Sequence, residues 1–363
     1  LEPARYLEIK YQGTSVFTLV PCLGVKTLKK VFCIGETLID FIPIQKEKSL
    51  KEVTGFERVA GGAPMNVAIA IAKYGGNSVM LTKIANDNFG DYLEGVLRGN
   101  DVDTSYIIRS DEGETGLAFV SVDNFGERSF NFYRNNAADL LLSPDEVKSE
   151  WFNQGDLLHF CSVDLVESPM KQTHIKVIDR FNKIGGIVSF DPNVRLPLWP
   201  DEESCRSTIL NFLPVADIVK VSDEELYFIT NIHTEKEAIE SLFVGNVKVV
   251  VYTKGSDGAN IYLKNGEVYE DKGFKVIVSD TTGAGDAFIG GFLSELVSLE
   301  VTNENLCERV SENHQRLLTF ANASGALTAS VKGAIQEAPG KRHVLNFIST
   351  QRETTKRGEK EIL

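Results

Sequence analysis

Asp280-Thr281-Thr282-Gly283-Ala284-Gly285-Asp286-Ala287-Phe288, continuing as IGGFLSELV to Val297, is the stretch on which the fold turns. Phe288, Phe292, Leu293, Leu296 and Val297 share one stripe at the helical period, so a helix is predicted whose first turn holds Gly283 and Gly285. Free main-chain N–H groups at such a start face outward, small residues let an anion approach the backbone, and the helix terminus adds partial positive charge. Asp286 in that turn has two readings. Acids are favoured there by the dipole alone, by about 0.3–1 kcal/mol; a carboxylate beside an anion-binding turn is also placed to take a proton from a hydroxyl attacking a phosphoryl group. A glycine-rich turn also occurs in dinucleotide-binding folds, but the spacing here is not Gly-x-Gly-x-x-Gly and the segment lies late in the chain.

Working outward, the chain after Asn135 alternates strand with helix: Leu157 to Phe160, Met170 to Ile184, Ile187 to Phe190, Ile218 to Val221, Val247 to Tyr252. That rhythm predicts a mostly parallel sheet covered by helices on both faces. Towards the N-terminus, Val31-Phe32-Cys33-Ile34-Gly35 reads as a buried strand where the ordered domain begins, and Pro64 to Tyr74 as a buried helix opening after Gly61-Gly62. Tyr106 to Ile108, Gly116 to Val122 and Ser129 to Tyr133 alternate like half-exposed strands without helices between them, which predicts an antiparallel appendage. The expected division is residues 1–29 as leader or appended residues outside the core, 30–340 as one α/β domain, and 341–363 as a helix end with a polar tail that frays from Thr350 to Lys360.

With 363 residues, 42% hydrophobic and 25% charged, the chain is long enough for a large core and average for a globular protein. A net charge of −13 argues against a nucleic-acid binder, which needs a basic surface. Cys22, Cys33, Cys161, Cys205 and Cys307 form no Cys-x-x-Cys pair and the histidines no His-x-x-x-His pair, so reducing cytosol is expected and a histidine metal centre is not. No apolar run approaches the roughly 20 residues that cross a bilayer.

DTTGAGDAF resembles the C-terminal signature of the ribokinase-like sugar kinases, the phosphofructokinase B type, and the likeness extends over roughly Val31 to Pro339. The resemblance implies a ribokinase-like α/β domain with a β-lid, here from about 43–60 and 102–134, and often a homodimer through that lid. It also implies that Gly283, Ala284 and Gly285 form an anion hole, that Asp286 is the catalytic base, and that Asp280 and Thr282 help bind a monovalent cation, K+. Thr253, Gly255 and Gly258, in YTKGSDGA, resemble the nucleotide loop, although an ordinary β-turn has the same composition. Asn322, in FANASGALTA, resembles the segment flanking adenine, or simply belongs to a helix packed closely on the sheet. Lys220-Val221-Ser222-Asp223-Glu224-Glu225 resembles the family's Asn-x-x-Glu element with Ser222 in place of asparagine; Lys220 is assigned to ATP and Glu225 to hydrated Mg2+. Ser222 would equally suit a helix N-cap.

For the sugar, GGAPMN matches the family's N-terminal signature: Gly61 and Gly62 let sugar lie on backbone, and Asn66 either bonds vicinal hydroxyls or caps its own helix locally. Asp40, a charge within an apolar strand, fits a polyol partner. Asp191 and Arg195, in DPNVRLPLWP, follow a strand and resemble a fructokinase element, with a structural ion pair as the other reading for Arg195. Arg134 resembles an arginine aimed at substrate oxygens, and on its strand it equally suits a surface charge. The expected activity is ATP-dependent phosphorylation of a sugar primary hydroxyl, D-fructose first, in the cytoplasm. The rivals are a 2-keto-3-deoxygluconate kinase, a catalytically silent regulatory protein on the same fold and, distantly, a nicotinamide-dependent dehydrogenase.

Overall fold

A computed structural model describes residues 6–11, 14–19, 29–45, 48–122, 128–331 and 339–361. Strands β1 (Tyr6–Tyr11) and β2 (Thr14–Leu19) pair with each other as an antiparallel hairpin within the stretch expected to be a leader. The domain strands follow as β3 (Lys30–Ile34), β4 (Leu38–Pro43), β5 (Phe56–Gly61), β6 (Asn77–Ala85), β7 (Ile107–Ser110), β8 (Gly116–Val122), β9 (Arg128–Tyr133), β10 (Leu157–Cys161), β11 (Ile187–Asp191), β12 (Ile218–Ser222), β13 (Val249–Thr253), β14 (Ala259–Leu263) and β15 (Val268–Asp271). The helices are α1 (Ala63–Lys73), α2 (Asn88–Gly99), α3 (Pro169–Lys183), α4 (Glu202–Phe212), α5 (Asp223–Thr230), α6 (Glu235–Ser241), α7 (Ala284–Val297), α8 (Leu306–Ser330) and α9 (Lys341–Glu361).

A nine-stranded sheet runs β15-β14-β13-β12-β11-β10-β3-β6-β7, and a four-stranded sheet runs β5-β4-β8-β9. In the large sheet every pairing from β13 to β7 is parallel, while β14 and β15 add antiparallel strands at one edge. Continuous apolar runs suit strands buried on both faces. In β3, Val31 and Cys33 join one core with α1, α7 and α8, while Phe32 and Ile34 join the other with α3, α4 and α5. Strand order reverses between β3 and β10, so chain leaving their carboxyl ends diverges there and opens the kind of crevice in which α/β sheets bind ligands.

Helix α7 packs between α1 and α8 because its first half is small. A Cβ on Gly290 would lie 2.6 Å from Ala70 Cβ, and one on Gly291 would lie 2.8 Å from Ser324 Oγ. That approach brings the N-terminus of α7 beside α1.

Three expectations need correction. Ile107–Ser110 is not part of the appendage: it pairs parallel with the far half of β6, Thr82 to Ala85, as the edge of the large sheet. The small sheet begins at Leu38 and is not purely antiparallel, since β4 and β8 run parallel. Thr350 to Lys360 lies within α9, a helix anchored at its start by buried Val344 and Ile348, one turn apart.

Candidate active site

A cleft of about 1040 Å³ runs between the small sheet and the carboxyl ends of the large sheet's central strands. Leu38, Asp40 and Phe132 line it from the small sheet, Asn193 and Arg195 from the segment after β11, and Lys220 and Thr253 from the ends of β12 and β13. The start of α7 forms its centre. Gly283 is the N-cap with φ 73°, a left-handed conformation glycine adopts without strain, and the first-turn N–H groups that follow have no acceptor inside the helix.

Asp286 lies in that turn and is 7% exposed. Asn66 Nδ2 donates to its Oδ2 at 2.9 Å, and Asn193 Nδ2 reaches Oδ1 at 3.4 Å. Burial raises its carboxyl above the ordinary range, against the pull of Asn66, Arg195 and Lys220. A carboxylate with raised proton affinity, beside an anion-binding helix start, is equipped to take a proton from a hydroxyl attacking the bound anion.

A cation from β12 stands beside that helix start. Register Phe190↔Val219 sets the next residues, Asp191 and Lys220, side by side, and Lys220 Nζ lies 3.0 Å from Asp191 Oδ2. Burial works against the Lys220 charge, but Asp191 and Glu225 outweigh it and hold the ammonium protonated. A Cβ built on Gly285 would stand 3.5 Å from Lys220 Nζ, so the ammonium faces the anion turn. Glu225 closes a capping box with Ser222: Ser222 Oγ accepts the Glu225 N–H and Glu225 Oε2 accepts the Ser222 N–H. Its Oε1 accepts the Val194 N–H at 2.9 Å. Burial pushes the Glu225 carboxyl up, but Lys220 and these backbone donors prevail and keep it low, hence ionised. Ser222 is thus an N-cap, and Glu225 is an ionised carboxylate that lines the cleft.

Thr253, Gly255, Gly258 and Asn322 line the far end of the cleft with Phe274 and Gly325. Asn322 Nδ2 donates to Asp271 Oδ1 at 2.8 Å, fixing the end of β15 against α8. Thr282 lines the cleft; Asp280 stands behind it, accepting the Thr282 N–H on Oδ1 at 2.8 Å.

At the opposite end, Asp40, Gly62 and Asn66 line the cleft together. Gly61 does not; a Cβ there would lie 2.2 Å from Asp40 Oδ2, so its bareness admits the Asp40 carboxylate. Gly62 precedes α1 with φ 109°, and a Cβ would meet the Glu36 carbonyl oxygen at 2.4 Å. Gly62→Ala is therefore expected to cost about 1–3 kcal/mol in a denaturant titration, and an unchanged midpoint would contradict the strain.

Two expected substrate ligands sit elsewhere. Asp191 is wholly buried, pairs with Lys220 and accepts the Asn193 N–H, so it positions other groups from behind the wall. Arg134 is neither at the cleft surface nor a surface charge: it is 6% exposed and its Nη2 is held by Asp139 and Asp164. Arg195 lines the cleft, donates to the Val194 carbonyl, and its charge pulls on both Asp286 and Glu225. The sequence reading missed Asn193, which adopts φ 44° at 7% exposure, and Glu36. The DPN turn was the available signal for the first, since asparagine tolerates the left-handed region.

The profile of the pfkB family carbohydrate kinases matches residues 28–341. A probable fructokinase-2 of Arabidopsis thaliana is 41% identical over 324 residues, 88% of this chain and 96% of that protein. The crystal structure of a fructokinase from Xylella fastidiosa with bound ATP superposes with a TM-score of 0.82 at 34% identity, covering 90% of this chain and 99% of the other. A double mutant of the Vibrio cholerae O395 fructokinase, in a form with fructose, ADP and potassium ion bound, superposes at 0.78 with 31% identity, covering 88% and 98%.

Proposed function

This chain belongs to the pfkB family of carbohydrate kinases, and from that premise we propose that it moves the terminal phosphoryl group of ATP to a primary hydroxyl of D-fructose, giving fructose 6-phosphate and ADP. The observation that carries the chemistry is the meeting of Asp286, the α7 N-terminus and Lys220 in one cleft. Asp286 takes the proton of the attacking hydroxyl as the oxygen–phosphorus bond forms, and the bond to the bridging oxygen of ADP breaks. Gly283, Ala284, Gly285 and Lys220 hold the charge on the phosphoryl oxygens. Asn66 and Asn193 orient the base.

Residues 30–340 form the kinase domain in this reading, with the small sheet covering the sugar and excluding water that would compete for the phosphoryl group. Leu38, Asp40 and Phe132 on the cleft wall support that role. Nucleotide enters at Thr253, Gly255, Gly258 and Asn322. Mg2+ supplies charge neutralisation on the transferring phosphates, and the ionised, cleft-lining Glu225 fits it through water. Asp280 and Thr282 are the residues for K+, a cation the Vibrio cholerae protein binds. Among the described residues no helix is long and apolar enough to cross a membrane. The free Cys33, Cys161, Cys205 and Cys307 support a cytosolic setting, and exposed Tyr133 on the small sheet supports a homodimer there.

An ADP-release assay over a panel of sugars tests the reading: Mg2+-dependent turnover with fructose is expected, and turnover with 2-keto-3-deoxygluconate alone overturns the sugar assignment. In the same assay Asp40→Ala should raise the KM for fructose at least about tenfold while the KM for ATP stays within about twofold. Equal rises in both would remove Asp40 from the sugar site.

A further inference from the structure

A buried charge cluster outside the reaction centre lies where the two sheets meet. Arg134 follows β9, Asp139 sits in the single turn Ala138–Leu141, Asp164 in the turn Val163–Leu165 after β10, and Glu36 between β3 and β4. Glu36 is 2% exposed, and the other three are buried with it. Arg134 Nη2 donates to Asp164 Oδ1 at 2.7 Å and to Asp139 Oδ2. The one guanidinium is thus claimed by two aspartates, and Glu36 is a third acid beside them. Three carboxylates against one cation are not sustained away from water, so the cluster retains a proton. Burial, then the Asp164 charge, push the Glu36 carboxyl well above its usual range.

Glu36 also lines the cleft on the same side as Asp40, Gly62 and Asn66. Its Oε1 accepts the Ala63 N–H at 2.9 Å, which caps the otherwise uncapped start of α1. Its Oε2 is buried with no hydrogen-bond partner. The two amide donors nearby, of Asn66 and Asn193, are both directed at Asp286. A sugar oxygen at this end that needs a donor finds one on Glu36.

We propose that Glu36 is a specificity-determining residue that donates a hydrogen bond from Oε2 to an oxygen of the bound sugar. The proposal rests on the sugar-kinase reading above and adds a contact to it.

The test is a cycle between Glu36→Leu and a series of fructose analogues each lacking one hydroxyl. In the wild type, removing the contacted hydroxyl should raise KM about 10- to 100-fold. In Glu36→Leu the penalty for that analogue should fall below about threefold, with the KM for ATP within about twofold. Glu36→Gln keeps both an acceptor for Ala63 and a donor for the sugar, so its fructose KM should stay within about threefold. Every analogue keeping its full penalty in Glu36→Leu overturns the proposal, because a capping role alone leaves discrimination untouched. A crystal structure of the wild type with sugar bound decides the matter even if Glu36→Leu fails to fold: Oε2 farther than about 3.5 Å from all sugar oxygens overturns it. If the wild type leaves fructose untouched, the fructose assignment falls, and the same cycle with the sugar it accepts still tests Glu36.

Discussion

Asp286→Asn is expected to lower kcat by about 10²- to 10⁴-fold while the dissociation constant for ATP changes by less than about twofold. The substitution keeps the shape but removes the proton acceptor. Stability separates this from the dipole reading. Burial raises the folded pKa of Asp286 above its unfolded value. The stability this group contributes is therefore present below the unfolded pKa and is lost as pH rises through the folded one. At neutral pH the ionised carboxylate is a cost, so a neutral amide should leave the melting temperature unchanged or higher. The dipole reading predicts the reverse, a loss of about 0.3–1 kcal/mol with turnover intact. The raised pKa also sets the acid limb of kcat/KM, since the base must be ionised: activity should decline with falling pH from above the ordinary carboxylate range, and Asp286→Asn should lose that limb. A folded Asp286→Asn variant with near-normal turnover would sink the mechanism.

Lys220→Met should damage both stability and turnover. It leaves Asp191 wholly buried without its cation, a loss of about 3–5 kcal/mol by denaturant unfolding. It also removes the ammonium facing Gly285, worth about 10²–10³ in kcat when such a charge stabilises a transferring phosphoryl group. The double variant Lys220→Met with Asp191→Asn distinguishes the two effects. The amide still accepts the Asn193 N–H that Asp191 Oδ1 now takes at 3.1 Å, and the buried charge at position 191 is gone, so the part of the stability lost through Asp191 should return, while Glu225 keeps its backbone donors and the pull of Arg195. Turnover should not. Recovery of kcat alongside stability would show that Lys220 is only a structural partner.

The anion turn was legible because its message is local: apolar spacing places the helix, and glycine spacing places its start. The parallel core was legible for the same reason, as its runs are apolar throughout. What could not be read was pairing across long stretches of chain. Asp191 ends an apolar strand exactly where a ligand-facing acid would stand, and only the β11–β12 register shows that a lysine occupies its carboxylate. Arg134 likewise finds Asp164 through the meeting of two sheets, which no spacing encodes. Ile107–Ser110 alternates as either a lid strand or the edge of a parallel sheet would, and the length of β6 decided between them by leaving Thr82 to Ala85 free to pair. In α9 the charged composition suggested fraying, yet lysine, arginine and glutamate are good helix formers once Val344 and Ile348 hold the first turns.

The interior position of β3 in the large sheet has a consequence for how the chain is made. Its neighbours are β6, soon after it in sequence, and β10, whose Leu157 lies opposite Val31. On the ribosome, the amino-terminal strands and α1 therefore emerge with one edge of β3 unpaired until residue 157 and its neighbours have followed. Such an edge is a template for pairing with another nascent chain. Non-local closure of this kind makes the parallel sheet a slow step, and the order of synthesis places the exposure of that edge before it.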